Sequence, residues 1–143
     1  MSTPYAGSIV LALSLFVAGL MHLVLTDEHM AESVILGSGF IVAALAQIIL
    51  GVLALRPRLT PYRAIIALNA VLIALFAVHA TTGLPLPDAQ TDAADRGVFG
   101  PLEMIDGQAI LTKIAELLAI TLALWLRHER MQPAEVESLR RAA

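Results

Sequence analysis

The chain has 143 residues, of which 58% are apolar and 15% charged, with a net charge of −3 and no cysteine. Its mean hydropathy of +0.80 lies far above that of a soluble domain. The length leaves room for one compact unit, and the lack of cysteine excludes disulfides, thiolate metal sites and thiol catalysis.

Charge is almost missing from four stretches, roughly 6–26, 33–55, 63–83 and 103–126. Each is about the ~20 residues a helix needs to cross ~30 Å of hydrocarbon. The sequence therefore predicts an all-α, integral membrane four-helix bundle spanning residues 1–143, with residues 127–143 as a tail. The first stretch lacks Lys and Arg in its leading residues, and Leu25-Thr26-Asp27 offers no small-residue cleavage pattern, so it reads as a retained span rather than a signal peptide. Residues 27–32 then form an acidic loop with Asp27, Glu28 and Glu32. On the second span Ser33, Gly37, Ala44, Gln47 and Gly51 share one side, a small-residue face on which helices pack in lipid. Thr60-Pro61 reads as the start of the third span, and Gly83, followed by Pro85 and Pro87, ends it. The long connection 84–102, with Asp88, Asp92 and Asp95, is either a solvated loop or a lid.

Basic residues set the orientation. Arg56, Arg58 and Arg63 lie between the second and third spans, and Arg127, Arg130, Arg140 and Arg141 follow the fourth, whereas the other two connections hold only Arg96. The positive-inside rule then places both termini in the cytoplasm and loops 27–32 and 84–102 outside, in a multi-pass protein of a plasma (inner) membrane.

The polar exceptions inside the spans carry the functional expectation. His22 and His79 each fall about one turn from the outer end of an expected span, ~6 Å below the boundary. His29, Glu28, Met30 and Asp106 fall at the same level, with Glu103, Met104 and Met21 nearby. Imidazole binds copper, zinc and iron, and thioether favours copper. The expected function is thus transition-metal binding, copper first and zinc next, with His22 and His79 as core ligands. Haem b, with those two histidines axial, is the other cofactor reading. A histidine there can instead simply hydrogen-bond a neighbouring helix.

On the fourth span Glu103, Asp106, Lys113 and Glu116 fall within an arc of roughly 140°. A lone charge near the midplane costs about 2.5–3.5 kcal/mol on insertion scales, so Lys113 and Glu116 are expected to pair, with Gln47 and Asn69 as neutral partners. This set is a packing network or a proton relay. A proton-coupled transporter or channel is accordingly the alternative function, and an accessory subunit of a larger complex or a homo-oligomer a third. No phosphate loop, nucleophile elbow or zincin motif is present, no nucleic-acid partner is indicated, and no reaction is assigned.

His22 followed by Glu28-His29, then Gly39-Phe40, Ala46-Gln47, Gly83-Leu84-Pro85, Asp106 and Glu116, resembles a group of small four-span bacterial proteins known mainly as uncharacterised membrane proteins. The likeness covers most of the chain in short motifs. It implies the fold and a shared polar set, and brings no activity with it. Small multidrug transporters share the size, but their essential carboxylate is in the first span, which has none here.

Overall fold

The computed structural model describes residues 3–56, 58–86 and 105–142, and the side chains of 5–56, 58–86 and 105–131. Asp88, Asp92, Asp95, Arg96, Glu103, Met104 and the lid reading of the outer connection lie outside the described residues, as do the side chains of the last tail residues.

The described chain is all-helical: α1 (Thr3–Glu32), α2 (Val34–Ala54), α3 (Tyr62–Thr82) and α4 (Gly107–Ala142). All four are long and apolar enough to cross a membrane. Their outward faces carry exposed Leu13, Leu20, Val42, Ile49, Val71 and Leu117, the pattern of helices solvated by lipid. α2 and α3, at 21 residues each, span about 32 Å at 1.5 Å per residue.

α1 differs from expectation. It does not stop at Thr26 but runs on as helix to Glu32, so residues 27–32 are its last turns and not a loop. Thr26 donates to the His22 carbonyl at 2.9 Å, and Ser33 N donates to the His29 carbonyl at 2.9 Å. The break comes at Ser33, whose extended backbone ends α1 while its hydroxyl accepts from Leu36 N at 3.1 Å and caps α2. The acidic run was misleading because charged side chains at a helix end can stay helical outside the hydrocarbon. At 30 residues, α1 is about 45 Å long.

The packing order around the bundle is α2–α1–α4–α3, and α2 and α3 barely touch. Close approach of α1 and α2 depends on glycine. A Cβ at Gly51 would lie 2.8 Å from the Phe16 ring, and one at Gly37 would lie 2.8 Å from the Met30 Cα. Among the described residues, the α2/α3 side is joined by the hydrogen bond from Gln47 Nε2 to Asn69 Oδ1 at 3.1 Å.

At the end holding the arginines, Leu11, Leu15, Ala54, Tyr62, Ile65, Ala119, Ala123 and Leu126 form a buried, mainly apolar plug drawn from all four helices. Arg130 sits over the Tyr62 ring at 5.3 Å, which brings the basic end of α4 beside the start of α3. His22, Gln47, Asn69, Lys113 and Glu116 lie beyond this plug, toward the acidic end, while buried Ser8 and Ser14 of α1 flank the plug residues Leu11 and Leu15.

Candidate functional site

The centre of the bundle is a buried polar array to which every helix contributes. Gln47 of α2, Asn69 of α3 and Glu116 of α4 are fully buried, and His22 of α1 is 4% exposed. Burying such groups costs free energy unless each finds a partner, and here they find one another. The His22 Nδ1 donates to the Ala18 carbonyl at 2.9 Å and to Gln47 Oε1 at 3.0 Å. Gln47 Nε2 donates to Asn69 Oδ1 at 3.1 Å and to Glu116 Oε1 at 3.4 Å. Asn69 Nδ2 donates to the Ile65 carbonyl at 2.8 Å, and Lys113 Nζ donates to Glu116 Oε2 at 2.7 Å. Lys113 is one turn from Glu116 and also lies over the Phe76 ring at 5.1 Å.

The array constrains its protons. A carbonyl oxygen can only accept, so contact with the Ala18 carbonyl requires the hydrogen on His22 Nδ1. In a neutral imidazole Nε2 then carries only a lone pair. That nitrogen faces Glu116 Oε1 at 3.6 Å. Two acceptors face each other across this gap unless a proton lies between them. His22 Nε2 and Glu116 Oε1 thus form a position where one added proton is attracted by both sides. Lys113 holds the other carboxylate oxygen.

Above the array, on the side away from the plug, lies a cavity of about 230 Å³. Its floor and walls include His22, Thr112, Lys113 and His79, and its remaining lining is apolar, with Phe40 from α2 and Phe76 from α3. Thr112 spends its hydroxyl hydrogen on the Gln108 carbonyl at 2.8 Å. The cavity exists because α2 and α3 are splayed: Gly39 lines it, and a Cβ there would meet nothing within 4 Å.

The remaining expected site residues separate. His29 and His79 are buried with ring centroids 6.4 Å apart, and His29 stacks on Phe40 at 4.0 Å. His29 also donates to Glu32 at 3.2 Å. His79, not His22, is therefore the histidine that lies at the level of His29. His22 and His79 do not share one depth: His22 is ten residues from the end of α1 and His79 three from the end of α3, about 15 and 4.5 Å along their helices. The expected match came from ending α1 too early. Met30 packs on Gly37 at the α1/α2 corner, Glu28 is exposed, and Asp106 is an exposed helix cap that accepts from Ala109 N at 2.7 Å. Among the described residues no group of three or more His, Asp or Glu side chains is placed to hold one metal ion.

The sequence marked His22 and the Lys113/Glu116 pair as two signals, and the geometry joins them through Gln47. The contributors not expected at the site are Phe40, Phe76 and Gly39; Gly39-Phe40 stood out in the sequence only as a short motif of the resemblance, and Phe76 as an ordinary apolar residue. No protein-family model, curated protein or solved structure matches the chain.

Proposed function

We propose that this protein is a proton-translocating membrane protein in which His22, Glu116 and Lys113 hold and pass on a proton that reaches them through the adjoining cavity. The observation that carries this reading is the facing pair of acceptors, His22 Nε2 and Glu116 Oε1, 3.6 Å apart in a buried site. Ionisable groups at this depth are costly and mark ion or proton sites by default. A network serving only helix packing would be best built with each donor matched to an acceptor, whereas this one leaves a position that a single proton completes.

The apolar plug supports a gated site rather than an open channel. Protons that reach the array from the cavity meet Leu11, Leu15 and Ile65 beyond it. Passage therefore requires a second state in which the plug repacks, as alternating access demands. By the positive-inside rule we place the arginine end in the cytoplasm and the cavity in the outer half of the membrane.

The test is proton uptake by proteoliposomes under an imposed potassium diffusion potential, followed with a trapped pH dye. Parent protein is expected to take up protons above the rate of empty liposomes, and Glu116→Gln, which keeps the side-chain shape but only one of the two oxygens that accept from Lys113 and Gln47, is expected to fall to the empty-liposome rate while retaining the helical circular dichroism of the parent. No uptake by the parent, or equal uptake by the variant, contradicts the reading.

A further inference from the structure

We infer that the cavity binds the ring of a quinone-type ligand: a neutral, membrane-soluble ring compound that carries a carbonyl oxygen, enters from the bilayer between α2 and α3, and leaves its tail in the lipid. The inference rests on the proton reading only in that it names a ligand for the cavity above the relay; the ring is bound as a neutral hydrogen-bond acceptor and takes up neither proton nor electron.

The direction of access comes from the packing order. α2 and α3 barely touch, and the cavity is lined on that side by Ile35 and Leu75, which are 52% and 47% exposed. Both residues lie within membrane-spanning helices, so the surface they share faces lipid. Gly39 keeps the gap open, since nothing lies within 4 Å of where its Cβ would be. A water-soluble solute would have to cross hydrocarbon to reach such an opening; a lipid-soluble one is already there.

Size and chemistry narrow the occupant. A volume of about 230 Å³ greatly exceeds the roughly 10–15 Å³ that one water requires. It suits a single substituted ring and leaves no room for a long tail. Phe40 and Phe76 line the cavity from the two helices that flank the gap, and aromatic rings pack on a planar ring by offset or edge contacts. The polar group at the cavity wall is the Lys113 ammonium, which carries three hydrogens and gives one to Glu116. Its charge is already balanced by that carboxylate, so a carboxylate-headed lipid would bring a second negative charge beside Glu116. A neutral carbonyl oxygen accepts from the remaining ammonium hydrogens without that repulsion.

The experiment is photolabelling of the full chain in lipid nanodiscs with an azido derivative of a short-tailed ubiquinone, with the label mapped by mass spectrometry. Label is expected on α2 and α3 around Phe40 and Phe76, and unlabelled decylubiquinone at about ten times its dissociation constant should reduce it about tenfold by mass action. Gly39→Leu, whose Cβ meets no neighbour and which enlarges a residue of the cavity lining, should lower labelling by a similar factor without lowering the unfolding temperature. Label spread evenly over lipid-facing positions such as Leu13 and Leu117, competition by palmitate but not by decylubiquinone, or full labelling of Gly39→Leu each overturns the inference. The potassium-driven proton uptake of the parent and of Glu116→Gln is measured without quinone, so failure of the quinone inference and failure of the proton reading are separately visible.

Discussion

At the scale of single residues, Gln47 is the side chain on which the site turns. Its carbonyl oxygen takes the His22 hydrogen, and its amide nitrogen serves both Asn69 and Glu116. Replacement by leucine keeps the volume near constant but removes three hydrogen bonds at once and leaves Asn69 and Glu116 buried with fewer partners. An unsatisfied buried polar group costs about 1–3 kcal/mol, although double-mutant cycles in lipid average nearer 0.6 kcal/mol per hydrogen bond. Gln47→Leu is therefore expected to destabilise the bundle by about 1–3 kcal/mol, read as a shift in the denaturant midpoint. An unshifted midpoint would mean that the array contributes nothing to folding. Lys113→Met is expected to cost more than Lys113→Met combined with Glu116→Gln, because the single change leaves the Glu116 charge buried without its cation, a loss of roughly 3–5 kcal/mol in buried pairs. Equal costs for the single and the double variant would show that Lys113 and Glu116 are not coupled.

At the scale of helices, glycines have opposite uses on α2. Gly37 and Gly51 let α1 approach, and added carbon at Gly51 would strike Phe16. Gly51→Leu should cost about 1–3 kcal/mol through overpacking. Gly39 faces empty space, and Gly39→Ala should stabilise by about 0.5–1 kcal/mol, the difference in helix interiors. Thermal unfolding of the two variants in the same detergent checks the contrast, and a loss at both positions would refute the splayed α2/α3 seam. Asp106→Ala removes the cap of α4 and should cost about 1 kcal/mol.

Much of this level was legible before any coordinates. Length and apolar runs gave the four helices, and the spacing of Lys113 and Glu116 gave their pairing. Gln47 and Asn69 stood out because amides in apolar helices need partners. The end of α1 was not legible. Asp27, Glu28 and Glu32 look like a loop, yet the helix continues through them and stops only at Ser33. That error raised His22 toward the membrane edge and joined it to His79, when its place is beside Glu116.

For the whole molecule, the decisive feature is the order α2–α1–α4–α3 with one seam left slack. No local pattern encodes it, because Ile35, Leu75, Phe40 and Phe76 are the same residue types that elsewhere face lipid or fill a core. Only the tertiary arrangement turns them into cavity walls. The result is a bundle in three levels: an apolar plug at the arginine end, a polar array across all four helices, and a cavity beyond it. The ionisable side chains His22, Lys113 and Glu116 lie in the middle level, with the plug between them and the arginine end.

The proposed function requires that one proton be shared between His22 and Glu116. Its most direct test is solid-state nitrogen NMR of the histidine rings in lipid bilayers, with His22 assigned by its loss in His22→Ala. The account predicts a hydrogen permanently on Nδ1, and an Nε2 resonance that takes or gives a proton with pH and shifts in Glu116→Gln. An Nδ1 without hydrogen, or an Nε2 resonance that ignores the Glu116 substitution, would contradict it.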